Sequence, residues 1–227
     1  MAETTAAPAS SAVEQVPVGK RVYLLLEYAV LFFGVIAVFD TVADGVSPIP
    51  FLVVLGVGCA IYLYRQPGFD REDLIRLPAV REHVPSILGL WAAATVVALI
   101  CVALLLPEDL FGFPRSDPAR WALVAIAYPV FSAYPQELIF RAFLFRRYRH
   151  VFGTGPGMIL ASAAAFGFAH IIFSNWFAVV ATTIGGLLFA YRYQRSRSLL
   201  AVSIEHGLYG LMIFTVGLGQ FVYHGAG

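Results

Sequence analysis

Charge is scarce in this 227-residue chain: Asp, Glu, Lys and Arg together make 13% of it, where soluble domains carry roughly 25%. Apolar residues make up 59% and the mean hydropathy is +0.78, which excludes an ordinary water-soluble domain and points to a chain whose solvent is lipid. Positive charge in blocks is also missing. The formal net charge is +1, so there is no electrostatic footprint for nucleic acid, and none is expected as a partner. Cysteine is nearly absent. Cys59 and Cys101 both fall within apolar runs, where a small buried hydrophobe is the better reading than a disulfide or a metal pair.

Long hydrophobic stretches, by contrast, are abundant. A membrane helix needs about 20 apolar residues, and the chain offers seven such runs, roughly 22–43, 48–64, 87–106, 121–145, 156–173, 175–193 and 198–220. Spanning backbones must satisfy themselves as helices or as closed barrels, and these runs lack the alternation of barrel strands. The predicted fold class is therefore all-α, a polytopic membrane bundle of about seven transmembrane helices over 18–227, preceded by a disordered tail of Ala, Thr, Ser, Pro and Glu at 1–17. Lys20 and Arg21 before the first run resemble the start of a signal peptide, but the length of the run and Glu27 within it argue against cleavage. Between the second and third runs, "RQPGFDREDLIRLPAVREHVP" reads as a surface loop with a short interfacial helix.

If seven helices alternate, Lys20, Arg21, Arg65, Arg71, Arg76, Arg81, Arg146, Arg147, Arg149, Arg192, Arg195 and Arg197 all fall on one side, twelve of the fifteen cations. Arg115 and Arg120 fall opposite, and Arg141 lies within a helix. The positive-inside rule then predicts a cytoplasmic amino terminus and an outside carboxyl terminus, with His224 at the interface.

Within the runs the ionisable residues are Glu27, Asp40, Glu137, Arg141, His170, Glu205 and His206. A charge at mid-depth costs at least ~2.5–3.5 kcal/mol, so each is expected to face the bundle interior and find a partner. Glu137 and Arg141 are spaced i, i+4 with the acid first, the favourable order on one helix face. Counting ~1.5 Å per residue from the flanking arginines puts Glu137 and His206 ~13 Å from the cytoplasmic boundary, and His170 ~18 Å; tilt absorbs the ~5 Å difference. The three helices can thus bring a carboxylate and two imidazoles into one cavity in the inner half of the bundle, where a water can be activated. Glu205 adjoins His206, but consecutive helical residues diverge by about 100°, so it need not share that cavity. Pro135 lacks an amide hydrogen, freeing the Phe131 carbonyl and kinking the fourth helix beside Glu137. Gly185 and Gly186, with Gly207 and Gly210, allow close helix approach.

The stretches "QELIFRAFL", "FGFAH" and "GGLLFAYRYQRSRSLLAVSIEHGLYG" resemble the three motifs of the CAAX protease and bacteriocin-processing family of bacterial intramembrane proteases, also called the Abi or lysostaphin-resistance-like family. The family pattern is E-E-x-x-x-R, F-x-x-x-H and H-x-x-x-N/D, and the likeness covers about 120–215. It implies a peptidase of the inner (plasma) membrane acting on membrane-associated peptides or proteins, with membrane lipid as its other partner. By this resemblance Gln136, Glu137, Arg141, His170 and His206 are the candidate catalytic residues, and Phe166 and Tyr209 the candidate substrate-binding ones. Glu137, His170 and His206 also make an acceptable shell for a divalent metal such as zinc, although they lack the compact H-E-x-x-H spacing. Two positions depart from the pattern. Gln136 stands where the family's water-activating glutamate is implied, and an amide cannot accept a proton at neutral pH; Gly210 stands where an oxyanion-steadying Asn or Asp is implied. The alternative is accordingly a catalytically inactive scaffold that binds or regulates another membrane protein. A transporter with a proton relay is a third reading, which no inverted repeat supports.

The topology is testable. In a variant lacking Cys59 and Cys101, a single cysteine at position 227 is expected to react with an impermeant maleimide on intact cells, and one at position 71 only after the inner face is opened.

Overall fold

The computed structural model describes residues 16–43 and 45–222. His224, the carboxyl terminus and nearly all of the tail expected over 1–17 lie outside the described residues. Among those residues the secondary structure is helical throughout, with no strand. Seven long helical segments follow one another: α1 (Val18–Val42), α2 (Ile49–Arg65), α3 (Leu77–Leu105), α4 (Pro118–Arg147), α5 (Pro156–Phe173), α6 (Trp176–Ser196) and α7 (Leu199–Val216). Five of them, α1, α3, α4, α5 and α7, are long and apolar enough by themselves to cross a membrane. The other two correspond to the remaining apolar runs of the sequence, α2 with 17 residues and α6 with 21. A helical membrane bundle is the fold.

Side chains set the helix ends. Asp117 accepts from the Arg120 amide and precedes Pro118, Asn175 caps α6 through the Ala178 amide, and Ser198 caps α7 through the Ala201 amide, each filling one of the donor vacancies at a helix start. The charged segment before α3 departs from the surface loop expected there. It holds one short turn at Arg71–Leu74, and α3 begins at Leu77, well before Pro85. Pro78 is the reason: at the second helical position its missing amide costs nothing, so the helix starts there and carries Pro85 within it.

Polar contacts join the segments rich in arginine at one end of the bundle. Arg147 makes a paired contact with Glu27 of α1 at 2.6 and 2.8 Å, and the Tyr148 hydroxyl donates to the same carboxylate at 3.0 Å. Asp73 takes Arg76 at 2.7 Å and Arg197 at 2.5 Å, and Arg146 reaches the Pro67 carbonyl. Asp70, beside them, is held below the usual carboxylate range, first by the Glu72 amide and then by Arg76. At the other end Trp121 donates to Thr215, Asn175 to the Phe221 carbonyl and Gln220 to Asp109, beside the Arg120–Asp117 pair. The membrane-facing exterior is apolar: Val54, Val96, Leu104, Ile126 and Ile184 are all exposed. Cys101 is exposed on α3 and Cys59 is half-buried in α2, so the burial expected of Cys101 does not hold; it lies on the outer face of its helix.

The tightest packing is between α5 and α6. A Cβ on Gly186 would stand 3.0 Å from Ala163 Cα, whereas one on Gly185 would meet only Phe189 of its own helix, at 3.4 Å. Small residues permit such backbone approach where lipid gives helices no hydrophobic drive to associate. Gly186→Ala is expected to lower stability by about 1–3 kcal/mol through overpacking, despite alanine's better helix propensity, while Gly185→Ala leaves it unchanged or raised. Thermal unfolding of the two variants in detergent distinguishes these outcomes.

Candidate active site

Helix α4 supplies most of the site, and it is not a regular α-helix. Two π-helical segments, Pro129–Ala133 and Leu138–Phe143, flank a single α-turn at Tyr134–Glu137. The distortion expected at Pro135 is thus spread on both sides of it. Pro135 is itself buried, and a Cβ on Gly56 of α2 would stand 3.2 Å from its ring. Such wide turns turn successive side chains out of the ordinary helical register and recur at functional sites. Gln136 and Glu137 consequently serve different neighbours.

Glu137 and Arg141 are both fully buried, with Arg141 Nε 3.0 Å from Glu137 Oε2. That pair is close enough for charge neutralisation but too poorly aligned for a hydrogen bond. The guanidinium is further held by Ser162 of α5, whose hydroxyl accepts from Arg141 at 3.2 Å and donates to the Phe140 carbonyl at 2.8 Å. Its plane lies over the Phe166 ring, 4.7 Å from the centroid, a favourable placement for a desolvated cation.

The other carboxylate oxygen faces α7. Glu137 Oε1 stands 2.8 Å from His206 Nδ1, and His206 Nε2 stands 2.9 Å from the Tyr128 hydroxyl. With Glu137 ionised opposite an always-charged guanidinium, the carboxylate accepts and Nδ1–H donates; Nε2 is left as the acceptor for Tyr128, a tautomer assigned from the network. Phe189 stacks on the imidazole at 4.8 Å, and Phe166 meets it edge-on at 5.4 Å. His170 also packs on Phe166, 4.8 Å between centroids, and its Nδ1 donates to the Phe166 carbonyl at 2.7 Å. The Nε2 of neutral His170 is therefore an acceptor.

Two adjoining cavities reach this cluster from the end of the bundle opposite Glu27 and Arg147. One, of about 400 Å³, is lined by the α1–α2 connection, Ser174, Ser132 and Tyr128. The other, of about 280 Å³, is more apolar and is lined by α1, α2, Ser132, Gln136 and His170. Ser132 belongs to both walls, and Gln136 Nε2 donates to its hydroxyl at 2.8 Å. Glu137 and His206 line neither of these cavities.

The structure thus brings together Glu137, Arg141, Phe166, His170 and His206, and sets Gln136 beside them on a cavity wall. It leaves out Tyr209, which packs on Phe189 at 6.0 Å and lines neither of these cavities, and Glu205, which turns away to a paired contact with Arg192 at 2.9 and 3.0 Å. Tyr128 and Ser162 belong to the cluster and were not anticipated. The signal for Tyr128 was position 210: a Cβ there would stand 2.1 Å from the Tyr128 ring and 2.6 Å from its hydroxyl, so the volume left by the small residue is filled by the phenol. A metal does not fit this arrangement. Among the described residues no three His, Cys, Asp or Glu side chains form a group able to hold one, because Glu137 and both nitrogens of His206 are committed to each other, to Arg141 and to Tyr128.

A membrane helix bundle with a buried carboxylate, an arginine and two histidines drawn from α4, α5 and α7 defines a polytopic membrane protein with an internal polar site. Residues 118–212 match the family model described as type II CAAX prenyl endopeptidase Rce1-like, a match over that segment that supports membership of the CAAX protease family. Comparisons with curated proteins and with solved structures yield no match.

Removing one member of the buried pair exposes its worth. Glu137→Gln leaves Arg141 unpaired and is expected to cost about 3–5 kcal/mol, whereas Glu137→Gln combined with Arg141→Met recovers much of that loss. A double-mutant cycle on denaturation in detergent measures the coupling.

Proposed function

We propose that the chain is an intramembrane peptidase that hydrolyses peptide bonds of membrane-associated substrates at the junction of the two cavities. The observation that supports this best is the contact of Glu137 with His206, 69 positions apart and both buried. A carboxylate, an imidazole and a guanidinium sealed together in lipid-facing helices are costly to maintain for packing alone. In this reading Glu137 acts as base through the imidazole it orients, Arg141 supplies its counter-charge, and the acceptor nitrogen of His170 with the Gln136 amide holds water and peptide group in place. The family supports a membrane-associated substrate; the apolar wall formed by α1 and α2 suits a segment already dissolved in the bilayer. The chain is read as one domain over 18–227, in the plasma membrane, with the end rich in arginine at the cytoplasmic face.

One observation favours the inactive scaffold instead. Glu137 is fully buried and lines neither of these cavities, while the position that does line one carries an amide, Gln136. Two substitutions decide between the readings, with cleavage of a membrane peptide measured beside thermal stability. For a peptidase, Glu137→Gln lowers turnover per folded molecule by about 10²–10⁴-fold, and Gln136→Glu is not needed for activity. Activity that appears only in Gln136→Glu would assign the native chain to the scaffold class, whereas activity that survives Glu137→Gln would assign Glu137 to structure.

A further inference from the structure

We infer that Tyr128 is a catalytic residue of this site, the group through which the buried Glu137–His206 pair reaches the reacting water. The inference rests on the peptidase reading and adds to it the atom that reading lacks. His206 and Glu137 line neither of the two cavities, but Tyr128 does: its side chain forms part of the wall of the larger one while its hydroxyl contacts His206 Nε2 at 2.9 Å. From Tyr128, a residue of the cavity wall, the contacts run hydroxyl, imidazole, carboxylate, guanidinium. A hydroxyl backed by an imidazole that is itself oriented by a carboxylate is an arrangement that activates an otherwise weak oxygen.

The polarity of the chain fixes the role. Nδ1–H is given to Glu137, so Nε2 accepts the phenolic hydrogen, and the Tyr128 oxygen keeps its lone pairs, which on this inference serve the cavity that Tyr128 lines. It is an acceptor there, which is what a water about to lose a proton requires. As the water oxygen bonds to the peptide carbonyl carbon, its proton passes to the Tyr128 oxygen while the phenolic proton passes to Nε2. The imidazolium so formed is balanced by Glu137. When the C–N bond breaks, the departing nitrogen takes a proton back from the Tyr128 hydroxyl, Nε2 returns its own to the phenol, and the cluster is as it began.

Two further contacts show that the position is built for this ring. Phe214 meets it edge-on at 5.2 Å, and position 210 has no room for a Cβ while the phenol is in place. Gly210 and Tyr128 are therefore a matched pair.

Phenylmethanesulfonyl fluoride tests the oxygen directly, without a peptide substrate. In attack by Tyr128 an O–S bond forms, the S–F bond breaks, and the phenolic proton goes to His206. On the full-length protein in detergent, mass spectrometry is expected to show Tyr128 modified about 10²-fold faster than the half-buried Tyr134 and Tyr209, the usual worth of a positioned base, and slowed to their rate in His206→Gln. Tyr128→Phe, which retains the ring and its packing, is expected to keep the melting temperature and lose about 10²-fold or more in peptide cleavage. Modification of Tyr128 no faster than of Tyr134 and Tyr209, or unimpaired cleavage by Tyr128→Phe, overturns the inference and leaves the peptidase reading standing. His206-dependent modification in a protein that cleaves no membrane peptide supports the relay and removes the peptidase reading instead.

Discussion

The guanidinium of Arg141 is the constraint around which this bundle is arranged. A permanent positive charge deep among apolar helices cannot be left without a counter-charge and hydrogen-bond acceptors, and each of its neighbours supplies one. Glu137 brings the negative charge, Ser162 of α5 an accepting hydroxyl, and Phe166 and Phe189 the faces of their rings. Once Glu137 is held this way, its second oxygen is free to orient His206 of α7. Four helices are thus oriented around one cation, and the polar geometry follows from its neutralisation.

Much of this was legible in the residues. The seven apolar runs correspond to seven helical segments, because in lipid the hydropathy of a run and its helicity are set by the same requirement for internal hydrogen bonding. The convergence of Glu137, Arg141, His170 and His206 followed from counting helical rises from the flanking arginines, and the divergence of Glu205 from His206 followed from the angle between adjacent residues. The family likeness of the second half, read from three motifs, agrees with the matched segment at 118–212.

What escaped the sequence has physical causes. The π-helical turns of α4 depend on which carbonyl each amide finds, and composition does not record that. Tyr128 carries no charge, so nothing in an apolar run separates a tyrosine with a hydrogen-bonded hydroxyl from one that only packs. The commitment of Glu137 and His206 to each other was equally hidden. Residue types alone allow a metal shell, and it is the commitment of Glu137 and of both His206 nitrogens to other partners that disfavours it. The start of α3 at Leu77 was missed because the segment's charge reads as surface, whereas Pro78 stands in the first helical turn, where proline is at home.

The contact between Glu27 and Arg147 has a mechanical meaning for α1. It fastens that helix to α4 near the amino-terminal end, where Leu24, Tyr28 and Phe32 are also buried, whereas Val35–Val42 buries none of its residues. Local opening costs least where fewest contacts are lost, so the Val35–Val42 arm, held at Phe39 by stacking on Phe51, is tied down less firmly than the Glu27 end, and Phe39 is common to the walls of both cavities.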